Sequence, residues 1–286
     1  MKTSFFQLLK IILFLLWLNP VIFLKRMYLE LRYRFTVFPQ SPTTKTIYGL
    51  NFTFYFEEAS SRRKMYLGMY EMGVVHSMET LLRPGDTFID TGANVGYLTA
   101  VGAGLVGTRG EVHSFEPVPW CVKRIRQLAA DNPTFHIVVN EVAVGSTEGI
   151  LPLFISNKSM GQSSAAVGIL KKEDIRETIQ THMVRLDSYI EEKKIHQVKL
   201  IKIDVEGFEF EVLCGLERFL AKAPGTFLIC EIVPEAYGKP GHSMEDMFGY
   251  LEKFSYFPYS VVNPSRKISH DLIKKQSTIN VLFKPR

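Results

Sequence analysis

The sequence lacks the patterns that build disulfide-stapled or zinc-stabilised domains. Its 286 residues include only three cysteines, too few and too scattered for a disulfide framework. Cys121 and Cys214 fall in helical patterns and Cys230 falls in an apolar strand, so we expect reduced and mostly buried thiols. The seven histidines form no H-E-x-x-H motif, and the cysteines form no C-x-x-C pair. We therefore predict no bound metal and a domain suited to a reducing, cytosolic setting.

A strong excess of one charge is also missing. The formal net charge of +5 permits contact with anionic lipid or RNA without requiring either. The sequence contains no internal repeat and no long low-complexity tract. With 46% hydrophobic residues, the chain can form one domain of about 220 to 250 residues plus an appendage.

The most informative stretch is residues 88–96, which predict a nucleotide-binding turn. A short apolar strand ends at Asp90, and a turn containing Gly92 and Gly96 leads into a helix. The next apolar strand ends at Glu116, which completes the outline of a βαβ unit. Glycine lets the backbone of such a turn approach a ligand closely. The carboxylate of Glu116 could accept hydrogen bonds from two ribose hydroxyls.

The glycine spacing differs from that of dinucleotide-binding turns. Such turns use G-x-G-x-x-G, whereas this turn has G-x-x-x-G preceded by Asp90. An aspartate beside the turn would repel a diphosphate and would suit a cationic ligand. S-adenosylmethionine has a sulfonium and an amino group, so the acid favours it as the cofactor. The alternative is an ordinary strand-turn-helix with a structural glycine.

Apolar segments that alternate with helical patterns predict a mainly parallel sheet covered on both faces. We predict a hairpin or edge strands over residues 46–56 after a linker at residues 39–46. The predicted strands span residues 87–90, 111–116, 135–139, 150–156, 198–204, 226–231, 256–262 and 279–283. The predicted helices span residues 60–82, 97–106, 120–130, 207–220 and 243–254. Residues 157–166 are small and polar, and we predict a loop that either closes over a ligand or stays exposed to solvent.

The N-terminal segment predicts association with a membrane. Residues 5–24 are almost wholly apolar, and about 20 such residues can cross a bilayer. The basic residues Lys25 and Arg26 follow, and apolar residues then recur at helical spacing up to Phe35. The positive-inside rule would place the remaining chain, with its catalytic domain, on the cytoplasmic side. A helix lying in one leaflet, or one packed on the domain or on a partner chain, is the alternative.

Four motifs occur in order along the chain. They are Ile89-Asp90-Thr91-Gly92-Ala93-Asn94-Val95-Gly96, Phe115-Glu116-Pro117, Leu186-Asp187-Ser188-Tyr189 and residues 199–209, Lys-Leu-Ile-Lys-Ile-Asp-Val-Glu-Gly-Phe-Glu. Together they resemble the FkbM family of S-adenosylmethionine-dependent methyltransferases. The resemblance covers about residues 66–286. It implies an α/β, Rossmann-like, seven-stranded methyltransferase sheet that is mostly parallel, with one reversed strand and helices on both faces. The predicted division of the chain is therefore an apolar and basic helical segment at residues 1–38, a linker with strands at 39–65, and the methyltransferase domain at 66–286.

The resemblance also implies which residues bind the cofactor. Around the methionine part it places Asp90, Gly92, Ala93, Asn94 and Gly96. It places Glu116 at the ribose, Val142 and Ala143 near the adenine, and Glu71 at the methionine end.

The acceptor side is defined by acids that follow predicted strands. Asp204 ends a buried strand and Glu206 follows it, at the edge of the sheet where such folds bind ligands. We predict that Asp204 and Glu206 act as the general base or position the acceptor, with Glu231 as a third acid in the same crevice. Alternatively, Glu206 favours a helix start by its charge, or Asp204 binds the cofactor.

Three functions follow as hypotheses. The first is a membrane-associated O-methyltransferase whose acceptor is a hydroxylated small molecule, a glycan or a lipid-linked compound. The second is an RNA methyltransferase, although the sequence contains no recognised RNA-binding module and we expect no nucleic-acid partner. The third is a non-catalytic cofactor-binding subunit of a larger assembly. The oligomeric state is left open.

Overall fold

The computed structural model describes residues 19–56, 61–156, 163–164, 172–222, 225–238 and 243–286. Statements about the structure refer to these residues.

Helices and strands alternate along most of the described chain. The first half contains α1 (Pro20–Phe35), β1 (Thr43–Ile47), β2 (Leu50–Phe54), α2 (Ser61–Tyr66), α3 (Met72–Leu81), β3 (Thr87–Thr91), α4 (Tyr97–Val106), β4 (Glu111–Phe115), α5 (Pro119–Asp131), β5 (His136–Asn140) and β6 (Ala143–Val144). The second half contains β7 (Gly149–Ser156), β8 (Ser163–Ser164), β9 (Ile175–Val184), α6 (Leu186–Glu192), β10 (Leu200–Ile203), α7 (Glu209–Cys214), α8 (Glu217–Leu220), β11 (Phe227–Ile232), α9 (Met244–Lys253), β12 (Tyr256–Ser260), α10 (His270–Lys274) and β13 (Ile279–Pro285).

Seven strands form the central sheet in the order β12-β13-β11-β10-β3-β4-β5. Strand β13 is antiparallel to both of its neighbours, and the other neighbouring pairs are parallel. The seven-stranded, mostly parallel sheet with one reversed strand is therefore confirmed. The chain builds outward from β3 through β4 to β5 and later returns on the other side of β3 with β10. Sheets of this kind bind ligands where the strand order reverses, at the carboxyl ends of β3 and β10.

Side chains that alternate along the sheet build two separate cores. Phe88 and Leu200 point into the core beneath α3 and α4. Their neighbours Ile89 and Ile201 point into the opposite core, which contains residues of α6, α7 and α9. Because successive side chains of a strand face opposite sides, a sheet buried on both faces needs apolar residues at consecutive positions.

The predicted helix at residues 60–82 is two helices. Helix α2 ends at Tyr66, and α3 begins at Met72. Between them, Gly68 has φ of 71° and Glu71 has φ of 43°, both in the left-handed region. The predicted helix at residues 207–220 is also divided, into α7 and α8, and it begins at Glu209. In both cases the apolar pattern continues through a break in the backbone, so the periodicity of the side chains does not reveal it.

A second sheet, with strand order β6-β9-β7-β8, lies beside the central one. Its long strand β9 was not predicted, whereas β7 corresponds to the prediction at residues 150–156. Of the predicted loop at 157–166, the structure describes the backbone of Ser163 and Ser164, which form the short strand β8. The remainder of that loop lies outside the described residues.

The prediction of a membrane location, with the catalytic domain on the cytoplasmic side, is wrong. In the described part of the chain, no helix is long and apolar enough to cross a bilayer. Residues 5–18 of the predicted apolar segment lie outside the described residues. From Pro20 onward the chain forms α1, which packs against the domain through Leu29 in a cluster with Leu67 and Met69. The side chain of Asn19 also donates a hydrogen bond of 2.9 Å to the carbonyl of Val262.

Candidate active site

A cleft lies at the carboxyl ends of β3, β4 and β10, where the strand order reverses. It contains about 980 Å³ of empty space, including the part that opens to solvent. The residues discussed below that line it are Tyr70, Glu71, Asp90, Gly92, Ala93, Asn94, Tyr97, Glu116, Val142, Ala143, Lys202, Asp204, Glu206, Phe208 and Glu231.

The turn after β3 approaches the end of β10 closely. Gly92 has φ of 73°, and a Cβ atom there would lie 1.7 Å from the carbonyl oxygen of Asp204. The amide nitrogens of Gly92 and Ala93 donate hydrogen bonds of 2.9 and 3.1 Å to the carbonyl of Phe115. The turn is therefore fixed between two neighbouring strands, and only glycine fits at its first position.

Asp90 is a fully buried acid with half of its carboxylate unpaired. The exposed fraction of this residue is 0%, and its Oδ2 accepts a hydrogen bond of 2.7 Å from the hydroxyl of Thr99. Its Oδ1 has no hydrogen-bond partner in the described structure. Burial raises the pKa of Asp90, although Lys202 and the Thr99 hydroxyl oppose this shift. A ligand that brings positive charge or a donor to Oδ1 would relieve this burial cost.

Glu116 is held by the backbone at the end of β4. Its Oε2 accepts a hydrogen bond of 2.8 Å from the amide of Asn94, and its Oε1 accepts one of 3.0 Å from the amide of Val118. Burial raises the pKa of Glu116 to about 7, against the effect of these two amides. Each carboxylate oxygen can accept a further hydrogen bond, so these contacts leave room for ribose hydroxyls.

A buried lysine lies among the acids of the cleft. The ammonium of Lys202 donates a hydrogen bond to Oδ2 of Asp204. Burial by itself would lower the pKa of Lys202, but the surrounding acids, Asp204 first, raise it well above its ordinary value. The carboxyl of Glu231 also interacts with Asp204. Burial and the nearby Asp204 both raise the pKa of Glu231.

The loop after β10 is shaped by Glu209. Its Oε1 accepts hydrogen bonds of 3.2 and 2.9 Å from the amides of Val205 and Gly207. Glu206, between them, has φ of 53° in the left-handed region. The acid that satisfies backbone amides here is therefore Glu209, the first residue of α7. The suggestion that Glu206 supports a helix beginning at Gly207 does not match this geometry.

The structure brings together most of the predicted site residues. Eleven of them line the cleft, namely Glu71, Asp90, Gly92, Ala93, Asn94, Glu116, Val142, Ala143, Asp204, Glu206 and Glu231. Gly96 does not line it. A Cβ atom at Gly96 would lie 3.2 Å from Ile125, so this glycine allows α4 to pack on α5.

Several lining residues had no assigned role from the sequence, among them Tyr70, Tyr97, Lys202 and Phe208. Lys202 carried a usable signal, because a lysine within an apolar strand pattern must find acidic partners once it is buried. Tyr70 and Tyr97 pack edge to face with ring centroids 5.7 Å apart, a contact that depends on the break between α2 and α3.

The charge of the cleft suits a cationic nucleoside. Six carboxylates line it, from Glu71, Asp90, Glu116, Asp204, Glu206 and Glu231, against the single lysine Lys202. The buried, unpaired Oδ1 of Asp90 could accept a hydrogen bond from a cationic amino acid part, and the amide-bound Glu116 could accept hydrogen bonds from a ribose. Within the described ranges, no group of three or more histidine, cysteine, aspartate or glutamate side chains could hold a metal ion.

The fold and this cleft define a methyltransferase-like α/β protein, and comparison with known sequences identifies its family. A sequence model of the methyltransferase FkbM domain matches residues 90–258. The chain belongs to the FkbM methyltransferase family. It is 31% identical over 170 residues to the 31-O-demethyl-FK506 methyltransferase FkbM of Streptomyces tacrolimicus, in a match that covers 50% of this chain and 63% of that protein.

Comparison with solved structures gives matches of low identity, with TM-scores below 0.5. Methyltransferase FkbM from Methylobacillus flagellatus is 14% identical, with a TM-score of 0.43, over 78% of this chain and 54% of that chain. Fibrillarin from Aeropyrum pernix, in complex with natively bound S-adenosyl-L-methionine, is 10% identical, with a TM-score of 0.42, over 85% of this chain and 83% of that chain.

Proposed function

We propose that this protein transfers a methyl group from S-adenosylmethionine to a hydroxyl oxygen of its acceptor. The observation that supports the proposal most directly is the buried Asp90, whose Oδ1 has no partner in a cleft lined by six acids. When bound, the cofactor supplies a methyl group on a cationic sulfur. The residues of the chain then have to hold it, orient it and receive a proton.

The described geometry supports the following proposed contacts. Asp90 and the turn at Gly92 bind the methionine part, and Glu116 binds the ribose hydroxyls. Lys202 holds the carboxylate of Asp204 in place, so that Asp204 contributes fixed negative charge beside the donor. Such preorganised charge stabilises a cationic ligand without reorganisation of solvent.

Transfer to oxygen is supported by family membership and by the name of the relative from Streptomyces tacrolimicus, which describes methylation of an O-demethyl compound. The acidic cleft fits this chemistry, because an attacking hydroxyl must lose its proton to a nearby base. The predicted roles of Asp204 and Glu206 in this step stay predictions.

Calorimetry with S-adenosylmethionine tests the proposed cofactor site. Asp90→Asn keeps the shape of the side chain and its contact with Thr99 but removes the charge, so we expect affinity to fall at least about tenfold. Asp131→Asn, which removes an exposed aspartate at the end of α5, is the matched control and should bind as the original chain does. Equal affinity in all three proteins would refute the proposed site.

A further inference from the structure

A second, larger cavity lies beside the proposed cofactor cleft. It contains about 1850 Å³ of empty space, including the part that opens to solvent. It lies between the first turns of α1, the break between α2 and α3, and the segment from β12 to β13. Its lining is largely apolar, with Ile22, Phe23, Val261, Ile268 and Leu272 among the contributors.

The two cavities share one wall. Tyr70 and Glu71 are the residues that line both. On the sheet, Glu231 of the cleft is the direct strand partner of Asn280, which lines the second cavity. Directly paired residues of antiparallel strands have Cβ atoms about 4.5 to 5.5 Å apart. A molecule in the second cavity would therefore meet the cleft at Glu71.

Buried polar atoms without partners mark this junction. Oε2 of Glu71 and Oδ1 of Asn280 have no hydrogen-bond partner in the described structure. Glu71 also has a left-handed backbone, with φ of 43°. Such backbone strain in a residue other than glycine is found repeatedly at functional sites. In contrast, the carboxylate of Asp204 is already engaged by Lys202.

We propose that the second cavity binds the methyl acceptor, a hydroxylated molecule with an apolar body, and that Glu71 accepts the proton of its hydroxyl. The inference rests on the proposed function. The acceptor oxygen forms a bond to the methyl carbon while the carbon–sulfur bond breaks, and the bonding pair stays with sulfur. The hydroxyl proton passes to the carboxylate of Glu71.

The location of the acceptor site is tested with the dye 1-anilinonaphthalene-8-sulfonate. The aromatic rings of the dye suit the apolar lining of the second cavity. Its sulfonate suits Arg26 and Lys64, two exposed residues that also line this cavity. Thr278 is exposed and lines the cavity, whereas its exposed neighbour Ser277 does not. We expect Thr278→Trp to weaken dye binding, followed by fluorescence, at least tenfold, and Ser277→Trp to leave it unchanged. Equal dye affinity in the two variants would overturn the proposed acceptor site.

Transfer is tested with S-adenosylmethionine labelled in its methyl group and a cell extract, separated into solvent-extractable, glycan, protein and RNA fractions. With the original chain, we expect label in the solvent-extractable fraction. With Thr278→Trp, we expect at least tenfold less label in that fraction. The affinity of this variant for S-adenosylmethionine, measured by calorimetry, should stay within twofold of that of the original chain. Label confined to glycan, protein or RNA would overturn the acceptor class. Absence of cofactor binding by the original chain would instead refute the proposed function.

The role of Glu71 is tested with Glu71→Gln. We expect transfer to fall about 100-fold or more, while the affinities for dye and cofactor stay within fivefold. Burial raises the pKa of Glu71, so the rate of the original chain should rise with pH through that raised value and the variant should lose this rise. The charged and titratable groups that face Glu71 are Tyr70, Asp90, Tyr97, Lys202 and Asp204. Unchanged transfer, or loss of cofactor binding, would overturn the role as proton acceptor.

Discussion

At the scale of single residues, the two glycines of the turn after β3 have different structural roles. Gly92 lies against the backbone of Asp204, and Gly96 lies against α5. Both are structural, and Gly92 in addition brings the turn and the acidic strand ends together. Gly92 is therefore required both by the proposed binding turn and by the packing of that turn against Asp204.

Gly92→Ala should destabilise the fold strongly. The new methyl group would lie 1.7 Å from the carbonyl oxygen of Asp204, so the backbone has to move in addition to accepting a φ of 73°. We expect the free energy of unfolding in urea to fall by about 3 kcal/mol or more. Gly85→Ala is the control, because Gly85 has φ of 96° with no atom within 4 Å of a new Cβ. It should lose about 1 kcal/mol, from backbone strain alone. Equal losses of unfolding free energy in the two variants would show that the close approach of Gly92 to Asp204 does not affect stability.

The sequence predicted acids at this site more reliably than their partners. Asp90 and Glu116 end strands within recognisable motifs, so their position in the cleft follows from strand order. The pairing of Lys202 with Asp204 joins residues two apart, around the end of a strand. A lysine within an apolar strand indicates an acidic partner, but the strand pattern does not identify which acid it is. The conformation of Glu71 depends on the break after α2, which the apolar pattern conceals.

At the scale of elements, Asp187 shows that a motif residue can organise the fold at a distance from the cleft. Its Oδ1 accepts a hydrogen bond of 2.8 Å from the amide of Phe219, and its Oδ2 accepts one of 3.1 Å from the amide of Arg218. These contacts fix the start of α8 against α6. The guanidinium of Arg185 lies 3.1 Å from Oδ2 as well.

Asp187→Ala should therefore lower stability without affecting the cofactor site. It leaves two amides without their acceptor and removes the carboxylate partner of the Arg185 guanidinium, and we expect a loss of about 2 to 4 kcal/mol in the free energy of unfolding. Affinity for S-adenosylmethionine, measured by calorimetry on folded protein, should stay within twofold. Glu191→Gln, at an exposed position of the same helix, is the control and should change neither quantity. A specific loss of cofactor affinity in Asp187→Ala would contradict the structural role.

Elements of the central sheet could be predicted because buried parallel strands are largely continuous apolar runs, as at residues 227–230. Strand β9 could not be predicted, because most of its residues are polar and the side chains on one face of the strand are exposed. Its sequence is Ile-Arg-Glu-Thr-Ile-Gln-Thr-His-Met-Val. Strand β9 is stabilised by its antiparallel pairing with β7, and a local sequence pattern does not indicate such a pairing. Helix α1 was predicted from its periodicity, but its apolar residues Leu24, Tyr28 and Leu31 are exposed, and packing through Leu29 positions it on the domain.

At the scale of the whole molecule, the cleft and its surroundings concentrate buried acids whose pKa values are raised. Burial raises the pKa values of Glu116 and Glu209 to about 7 and also raises those of Asp90 and Glu71. The native state therefore holds more protons than the unfolded chain between the ordinary carboxyl pKa and about pH 7. Stability gained from these protons is fully present below the ordinary pKa and is lost as the pH rises through the raised one.

Glu209→Gln should reveal this link between carboxyl protonation and stability. The amide keeps an oxygen for Val205 and Gly207 but cannot ionise, so the variant avoids the cost of a buried charge at high pH. We expect the free energy of unfolding of the variant, relative to the original chain, to rise by on the order of 2 to 3 kcal/mol from pH 5 to pH 8 in urea titrations. Glu235→Gln, at an exposed position, should show a constant difference across the same range. If the difference for Glu209→Gln were equally constant, this carboxyl would have to be ionised in the native state throughout, and its burial would not account for the pH dependence.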